Sequence, residues 1–341
     1  MRIGFRPLAG IPATDVARLA GTSFFASAGF LSLWTAHAGN PGAWLVEDGG
    51  RPVAMLPGVE YGAGAIARFA SGPDDCYGGL RLDPTVEEDR TGIAAAVFEQ
   101  VAQHGYAKIW VFDFHRTLSA APAGFTTTVA ETRLVDISAP DWTPPDRALL
   151  TQIRHAERAD LRIERFDWDR HAGGFLALAR GTAAWQGHRL RHAQGFYRAL
   201  AALAERDDRV VWCWCEHHGR PVASHIYFVE SGMLQAWQSH HDRRFAALHA
   251  NPYIRFQLCR EYARRGVGRL NVGSTPTGAV GLAAYKARWG GDLVRYPAYV
   301  RIGPLGRVAN ALAATRRRAA VVVARSRRVL GFSRPASPGR G

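Results

Sequence analysis

Lysine is nearly absent from this chain of 341 residues: Lys108 and Lys286 are the only two, and arginine supplies the other basic charges. Residues 304–341 contain nine arginines and no acidic residue. The net charge of +14 is therefore uneven, with −4 on residues 1–140, +9 on residues 141–303 and a further +9 on residues 304–341. A basic second half and a basic tail favour anionic partners such as phosphorylated ligands, RNA or an acidic membrane surface.

Cysteine is also scarce, and its spacing excludes several classes of protein. Cys76, Cys213, Cys215 and Cys259 form no Cys-x-x-Cys pair, which excludes a zinc ribbon or a thioredoxin-like motif. We expect all four to be small buried core residues, since free cysteine is usually buried. No disulfide framework is implied, and a reducing compartment fits.

Long hydrophobic runs are missing as well. Pro7, Pro12, Asp15 and Arg18 interrupt the N-terminal segment, so it does not read as a signal peptide. Nowhere do about 18 uninterrupted apolar residues occur, so no membrane-spanning helix is expected. The sequence predicts a cytoplasmic protein, with peripheral contact at the inner membrane face through the basic tail as a further possibility.

The length fits two domains better than one, because single cores stop growing at about 250–300 residues. Two segments, Trp44–Pro57 and Trp214–Ile226, share the sequence Gly-Arg-Pro-Val-Ala at Gly50–Ala54 and Gly219–Ala223. Both have β-rich flanks around a glycine-containing turn. They predict two copies of one hairpin.

A second pair of segments supports this duplication. A helical run ends at Gly105 and is followed by an apolar strand, and another ends at Gly266 with a strand after it. Two matches in the same order indicate a repeated α/β unit. We predict domains at 1–140 and 141–303, each a mixed twisted sheet flanked by helices, and a separate basic tail at 304–341 that is partly helical or disordered.

The second half resembles FemAB-like members of the GNAT superfamily, the peptidyl and aminoacyl transferases. The resemblance rests on short segments along the chain, of which the last is the most specific: Ile153–Arg158, Gly219–Ser224, His241-Asp242, Asn251-Pro252-Tyr253, Gly273-Ser274 and Tyr285-Lys286-Ala287-Arg288-Trp289-Gly290. The first half matches more loosely, through Phe24–Phe30, Trp34 and the Trp44–Pro57 hairpin.

This resemblance implies two GNAT-like folds in tandem, with an amide bond formed in the cleft of the second. The donor would be aminoacyl-tRNA or acyl-CoA, and the acceptor an amine of a peptide, a cell-wall precursor, a sugar or a natural product. No bound cofactor and no metal are expected. The resemblance also places substrate or donor contacts on a group of residues in the second half: Ser224, Asn251, Tyr253, Tyr285 and Trp289.

Lys286 is the first catalytic candidate. A lone lysine between Tyr285 and Trp289 in an arginine-rich chain indicates a need for a compact ammonium group. We expect it to bind a donor phosphate or the oxyanion that develops during acyl transfer. The alternative is an ordinary surface lysine at a helix end.

His241 and Asp242 are the other catalytic candidates, and they follow His240 at the end of a strand. A His–Asp pair could deprotonate the acceptor amine, or Asp242 could bind that amine as an ammonium. The alternative is a set of polar loop residues bonded to one another. A metal site is not predicted, because adjacent histidines usually diverge and no third ligand has motif spacing.

Ser274 and Thr275 lie between a strand and a helix start, where free N–H groups attract anions. The spacing from Gly273 to Gly278 imitates a P-loop, but Ala279-Val280 replace its Lys-Ser/Thr, which excludes a nucleotide hydrolase. Arg264-Arg265-Gly266-Val267-Gly268 departs from the CoA-binding loop of ordinary GNAT enzymes, because its glycines follow a helix instead of opening one. That departure weakens the case for a standard CoA enzyme.

Arg154 and Arg158 lie four residues apart on one helix face and suit a phosphate-bearing ligand. Glu157 and Glu164 are alternative partners for them. Trp185 and Arg189 are candidates for the acceptor pocket, although Trp185 also reads as a core residue.

Three functions follow from these patterns. The first is an aminoacyl-tRNA-dependent transferase, in which the basic half and tail bind the tRNA backbone. The second is an acyl-CoA-dependent N-acyltransferase with the same active site and a smaller donor. The third is a non-catalytic basic adaptor for RNA or membrane.

Overall fold

The computed structural model describes residues 1–86, 90–118, 120–276 and 278–308. Most of the predicted basic tail therefore lies outside the described residues. Among the residues that are described, no helix is long and apolar enough to cross a membrane.

In this part of the chain, all the strands join one mixed sheet. The strands are β1 (Arg2–Pro7), β2 (Gly39–Asp48), β3 (Arg51–Tyr61), β4 (Arg68–Ser71), β5 (Arg81–Leu82), β6 (Lys108–Phe112), β7 (Thr126–Asp136), β8 (Leu161–Arg165), β9 (Val210–His217), β10 (Arg220–Glu230), β11 (Met233–His241), β12 (Arg269–Asn271) and β13 (Asp292–Ile302). The α-helices are α1 (Ala13–Ala20), α2 (Ala28–Ser32), α3 (Arg90–Gln103), α4 (Arg147–Glu157), α5 (Trp168–Trp185), α6 (Gln194–Ala204), α7 (Ala250–Arg264) and α8 (Val280–Ala287).

The two predicted hairpins are present and share one turn geometry. Gly49 and Gly50 join β2 to β3 with φ angles of 55° and 82°, and His218 and Gly219 join β9 to β10 with φ angles of 48° and 72°. Positive φ at both central residues is the mark of a type I′ turn, whose twist suits antiparallel strands. The repeat seen in the sequence is thus a repeat of structure.

The two helix–glycine–strand units are confirmed too. Gly105 ends α3 and Gly266 ends α7, both in the left-handed conformation that favours glycine after a helix. The strands that follow pair in parallel with an earlier strand, β6 with β4 and β12 with β11. Each half therefore has an antiparallel meander followed by one parallel strand.

The two halves exchange their last strands. The sheet order is β1-β2-β3-β4-β6-β13-β7-β12-β11-β10-β9-β8, with β5 paired to β3. The final strand β13 thus lies beside β6 of the first half, and β7 lies beside β12 of the second. The predicted mixed α/β fold with two GNAT-like units is confirmed. The boundaries at 140 and 141 stay a prediction, because the exchange makes one continuous sheet.

Both faces of the sheet are covered by apolar cores. One core joins the halves: the ring of Phe24 stacks on Phe228 with centroids 5.0 Å apart. A second core holds α4 and α7 against the other side and includes Ile153, Ile254 and the fully buried Trp289. The four cysteines are buried, as predicted.

Strands β11 and β12 separate after three residue pairs, which opens a gap in the second half. Their pairing ends at Gln235 and Asn271, whereas β11 continues to His241. A β-bulge leaves Trp237 unpaired with β10, since Ile226 pairs with Gln238 and Tyr227 with Ala236. Bulges bend a strand and redirect its side chains. Here the bulge lies at the edge of the gap.

Candidate active site

A cleft of about 650 Å³ occupies the gap between β11 and the segment after β12. Its walls are residues 235–240 of β11, residues 272–274 with Pro276, helix α8 and the end of α5 with the segment that follows it. Asp74 and Asp75 close it from the first half. A cleft of this size suits a small substrate or the reactive end of a larger one.

Lys286 is the only buried residue of α8 and lies in this cleft. Its ammonium Nζ donates to the carbonyl oxygens of Gly273, at 2.8 Å, and Ser274, at 2.6 Å. Burial, with a smaller contribution from the positive charge of Arg255, lowers the pKa of Lys286 to about 8. The structure thus confirms that Lys286 is not an ordinary surface lysine. Two of its three N–H donors are bonded to these backbone carbonyls. Among the described residues the third has no acceptor, so it is available to a ligand.

The loop before α8 uses its backbone within the fold. The amides of Val272, Gly273 and Thr275 donate to the Arg133 carbonyl, the Asn271 side chain and the Glu131 carbonyl. The loop therefore presents carbonyls to Lys286, and most of its amides already have acceptors. Anion binding at Ser274 and Thr275 remains a prediction without support from these bonds.

Arg255 on α7 is a buried cation next to the cleft that the sequence analysis missed. Its Nε donates to the Tyr227 hydroxyl at 3.0 Å, and its guanidinium lies 5.1 Å from the Trp289 ring and 5.9 Å from the Tyr285 ring. Its Nη1 has no partner among the described residues. The sequence analysis did not identify Arg255, because the sequence of α7 does not show which of its faces packs against β11.

Polar side chains of β11 line the cleft. The Gln238 Oε1 accepts from the Tyr197 hydroxyl at 3.0 Å and from His240 Nε2 at 3.1 Å. This arrangement places the His240 proton on Nε2 and the lone pair on Nδ1. Burial, assisted by nearby His241 and His192, lowers the pKa of His240 to about 4, so the ring is neutral near neutral pH.

His241 and Asp242 do not reach this cleft. They line a separate cavity of about 270 Å³ together with Asn251 and Tyr285. Asp242 caps the 3-10 turn Arg243–Leu248 and forms an ion pair with Arg244 at 2.6 Å. The hydrogen bond from Arg244 lowers the pKa of Asp242. A role as general base stays a prediction for both residues, and the geometry does not support it.

The other predicted residues divide between core and surface. Ser224 is fully buried and bridges the Trp212 indole and the Cys213 carbonyl, and Trp289 packs in the second core. Trp185 is 59% exposed and stacks under Arg243, so its reading as a core residue is wrong. Arg189 lines the cleft. Arg154 and Arg158 are exposed, and Tyr253 is partly buried.

Residues 147–287 match the acetyltransferase (GNAT) domain family. This part of the chain is a GNAT acyltransferase domain. The match covers α4 to α8, the segment that carries the cleft and Lys286. No curated protein sequence matches the chain.

Solved structures with the same fold include three of particular relevance. FemX has a TM-score of 0.66 at 11% identity, over 87% of this chain and 97% of FemX. The C-terminal domain of a candidate lysylphosphatidylglycerol synthetase from Agrobacterium fabrum has a TM-score of 0.58 at 14% identity, over 89% and 94%. A tandem GNAT protein from the clavulanic acid biosynthesis pathway has a TM-score of 0.50 at 15% identity, over 89% and 99%.

These identities show a shared fold and nothing finer. The GNAT part of the resemblance found in the sequence is confirmed by the domain match, and the similarity to FemX shows that 87% of the chain shares the fold of that protein. The acyltransferase class is likewise confirmed.

Proposed function

We propose that this protein forms an amide bond by transferring an aminoacyl group from aminoacyl-tRNA to a small amine acceptor. The observation that carries the proposal is Lys286: a buried ammonium with a lowered pKa, held by two backbone carbonyls at the opening between β11 and β12. A buried titratable group in a cleft is a marker of a functional site.

The reaction needs a partner for developing negative charge. The acceptor nitrogen attacks the donor carbonyl carbon, a C–N bond forms, and the bond from that carbon to the ribose oxygen of the tRNA breaks. The amine loses one proton and the leaving ribose oxygen gains one. We assign to Lys286 the stabilisation of the oxyanion or of the departing oxygen, because its third N–H is available in the cleft.

Three features support an aminoacyl-tRNA donor. Residues 242–250, which join β11 to α7, contain no glycine, whereas ordinary GNAT enzymes hold the CoA pyrophosphate with a glycine-containing loop after a strand. Residues 141–303 have a net charge of +9 and the tail adds +9, which suits the backbone of an RNA. FemX and the candidate lysylphosphatidylglycerol synthetase domain share the fold.

An acyl-CoA donor is the second candidate. The cleft lies where two parallel strands separate. A small thioester donor needs no extended basic surface for its binding. The tandem GNAT protein from the clavulanic acid biosynthesis pathway, which shares the fold, was solved without AcCoA. In this case the bond that breaks is the C–S bond, and the tail is free to meet an acidic membrane surface.

A binding experiment separates these donors. The full chain is titrated with charged tRNA and with acetyl-CoA at two salt concentrations. A matched full-length variant replaces the six arginines at 316, 317, 318, 325, 327 and 328 with glutamine. The slope of log affinity against log salt concentration is negative, and each lost phosphate contact reduces its magnitude by about 0.7–0.9.

We expect charged tRNA to bind in a salt-dependent way and the glutamine variant to bind more weakly with a smaller slope. Binding of acetyl-CoA alone, unaffected by the six substitutions, contradicts the tRNA proposal and supports the CoA enzyme. If the protein binds RNA but turns over no donor, and if Lys286→Met leaves RNA binding unchanged, the protein is a basic adaptor.

A further inference from the structure

The first half of the chain contributes two acidic residues to the cleft of the second. Asp74 and Asp75 lie in the 3-10 turn Pro73–Asp75 that follows β4, and both line the cleft. Their φ angles are 59° and 61°, a left-handed conformation that is unfavourable for a residue other than glycine. The turn therefore holds two carboxylates in the lining of the cleft that also contains Lys286, at some expense in stability.

The two carboxylates are not equivalent. Asp74 is nearly buried and has two cationic or polar partners, Arg191 Nε at 2.5 Å and His192 Nε2 at 3.2 Å. Asp75 is about half exposed, with a relative side-chain exposure of 48%. Within the part of the chain that the structure describes, its one ion pair is a long contact to Arg191 Nη2 at 3.4 Å. Asp75 is thus the carboxylate in the cleft with capacity for another cation.

Unpartnered buried atoms in the same cleft provide an independent observation. Gln235 is 5% exposed and its Oε1 has no hydrogen-bond partner in the described residues. His240 is 9% exposed and its Nδ1 has none either. Both residues line the cleft. A buried polar atom without a partner destabilises the folded state, so such atoms call for an explanation.

The two atoms have the same chemical character. The Gln235 amide nitrogen donates to the Ala236 carbonyl at 3.2 Å, which fixes its Oε1 as an acceptor. The bond from His240 Nε2 to Gln238 leaves Nδ1 as an acceptor as well. The same lining also holds three buried donors that have no partner in the described part of the chain, Trp237 Nε1, Gln238 Nε2 and Arg255 Nη1. A carboxylate in a cleft with both unpartnered acceptors and unpartnered donors matches a ligand that carries a positive charge and several hydroxyl groups, because a hydroxyl group both donates and accepts.

We propose that this cleft binds the acceptor, with Asp75 holding the primary ammonium of an amino sugar or amino alcohol while Gln235 and His240 accept hydrogen bonds from its hydroxyl groups. Before the acyl transfer the ammonium gives one proton to the Asp75 carboxylate, so that the neutral amine attacks the donor carbonyl carbon and its second proton goes to the leaving oxygen. This assignment rests on the proposed acyl transfer at the same cleft and names its acceptor class. A plain alkylamine satisfies Asp75 alone and binds less tightly. An acceptor whose amine is already acylated has no cation for Asp75.

The test uses glucosamine and N-acetylglucosamine, which differ at the nitrogen and share the hydroxyl groups. Binding of each to the full chain is measured by calorimetry near neutral pH, in the absence of any acyl donor. We expect saturable binding of glucosamine and binding of N-acetylglucosamine weaker by about ten-fold or more, since a hydrogen bond to a charged group contributes about 1.5–3 kcal/mol.

Three variants complete the design. Asp75→Asn keeps the shape and tolerates the left-handed backbone, and Asp75→Gly does so without a side chain. Asp208→Asn removes a carboxylate that is 90% exposed and lies outside the cleft lining. We expect both Asp75 variants to weaken glucosamine binding by about ten-fold and Asp208→Asn to leave it unchanged.

Two results overturn the assignment: no glucosamine binding by the wild-type chain at millimolar concentrations, or equal binding by wild type and the folded Asp75 variants. These results are distinct from failure of the proposed function. Donor turnover is measured without an acceptor and depends on Lys286. A chain that hydrolyses a donor but ignores glucosamine keeps the transferase proposal and loses the acceptor assignment.

Discussion

Replacing Lys286 with methionine tests the role of its ammonium most sharply. Methionine has a similar length and suits the buried position, where the lysine is 7% exposed. The fall in the pKa of Lys286 from 10.5 to about 8 corresponds to roughly 3 kcal/mol of preference for the neutral form. Because the folded protein keeps a buried ammonium group in spite of this cost, we expect the group to contribute to catalysis. Loss of one oxyanion donor lowers kcat by about 10²–10³-fold.

The pH dependence follows from the same shift. Lys286 is protonated below a pH of about 8 and loses its proton as the pH rises through that value. If the ammonium stabilises the transition state, the rate that depends on Lys286 is highest well below pH 8, is halved near pH 8 and falls further above it. Lys286→Arg keeps its charge at higher pH, so we expect a lower rate without this decline.

The assay is single-turnover hydrolysis of the donor without an acceptor, which removes the titration of the amine from the profile. Lys108→Met is the matched control, because Lys108 is the other lysine of the chain and lies in β6, away from the cleft lining. We expect Lys286→Met to lower the rate of donor hydrolysis by at least about 10²-fold. A folded Lys286→Met variant whose rate stays within about two-fold of the wild-type rate refutes the reasoning.

Three predictions concern stability and are measured by denaturant unfolding. The unfolding free energy of wild type relative to Lys286→Met should rise between pH 8 and 10.5, because only the unfolded chain holds the lysine proton there; a flat difference refutes a lowered pKa. Gly291→Ala should destabilise the protein by more than about 1 kcal/mol, since φ is 75° and the new Cβ meets the Leu134 carbonyl on β7; Gly187→Ala, also at positive φ but with open space around its Cβ, is the control for the clash. Glu230→Gln should cost about 1–3 kcal/mol, because the buried Glu230 carboxylate accepts from Phe25 N at 3.0 Å and from Ser23 Oγ at 3.2 Å in the other half; an unchanged midpoint contradicts that contribution.

The repeated elements were predictable because their signals are local. A two-residue turn needs positive φ at both positions, and the glycines at 50 and 219 show it in the sequence. Glycines 105 and 266 mark the helix ends in the same way. The exchange of β7 and β13 has no such signal, because the pairing of Thr126–Asp136 with Asp292–Ile302 joins segments far apart in the chain.

The site was predicted in part. Lys286 stood out through the scarcity of lysine, and the structure places it in the cleft. His241 and Asp242 were chosen beside His240, but neighbouring residues of a strand point to opposite faces, and His240 alone of the three lines the cleft. Asp75 and Arg255 were missed because packing of the first half and of α7 against β11 brings them there, and the sequence does not encode that packing in any short motif.

The measurement that tests the central claim most directly is amide formation with a defined donor. The full chain is incubated with glucosamine and either charged tRNA or acetyl-CoA, and the product is identified by mass spectrometry, with Lys286→Met and Lys108→Met in parallel. We predict an aminoacylated amine from charged tRNA, made by wild type and Lys108→Met and lost with Lys286→Met. An amide formed only from acetyl-CoA, or one formed equally well by Lys286→Met, contradicts the account.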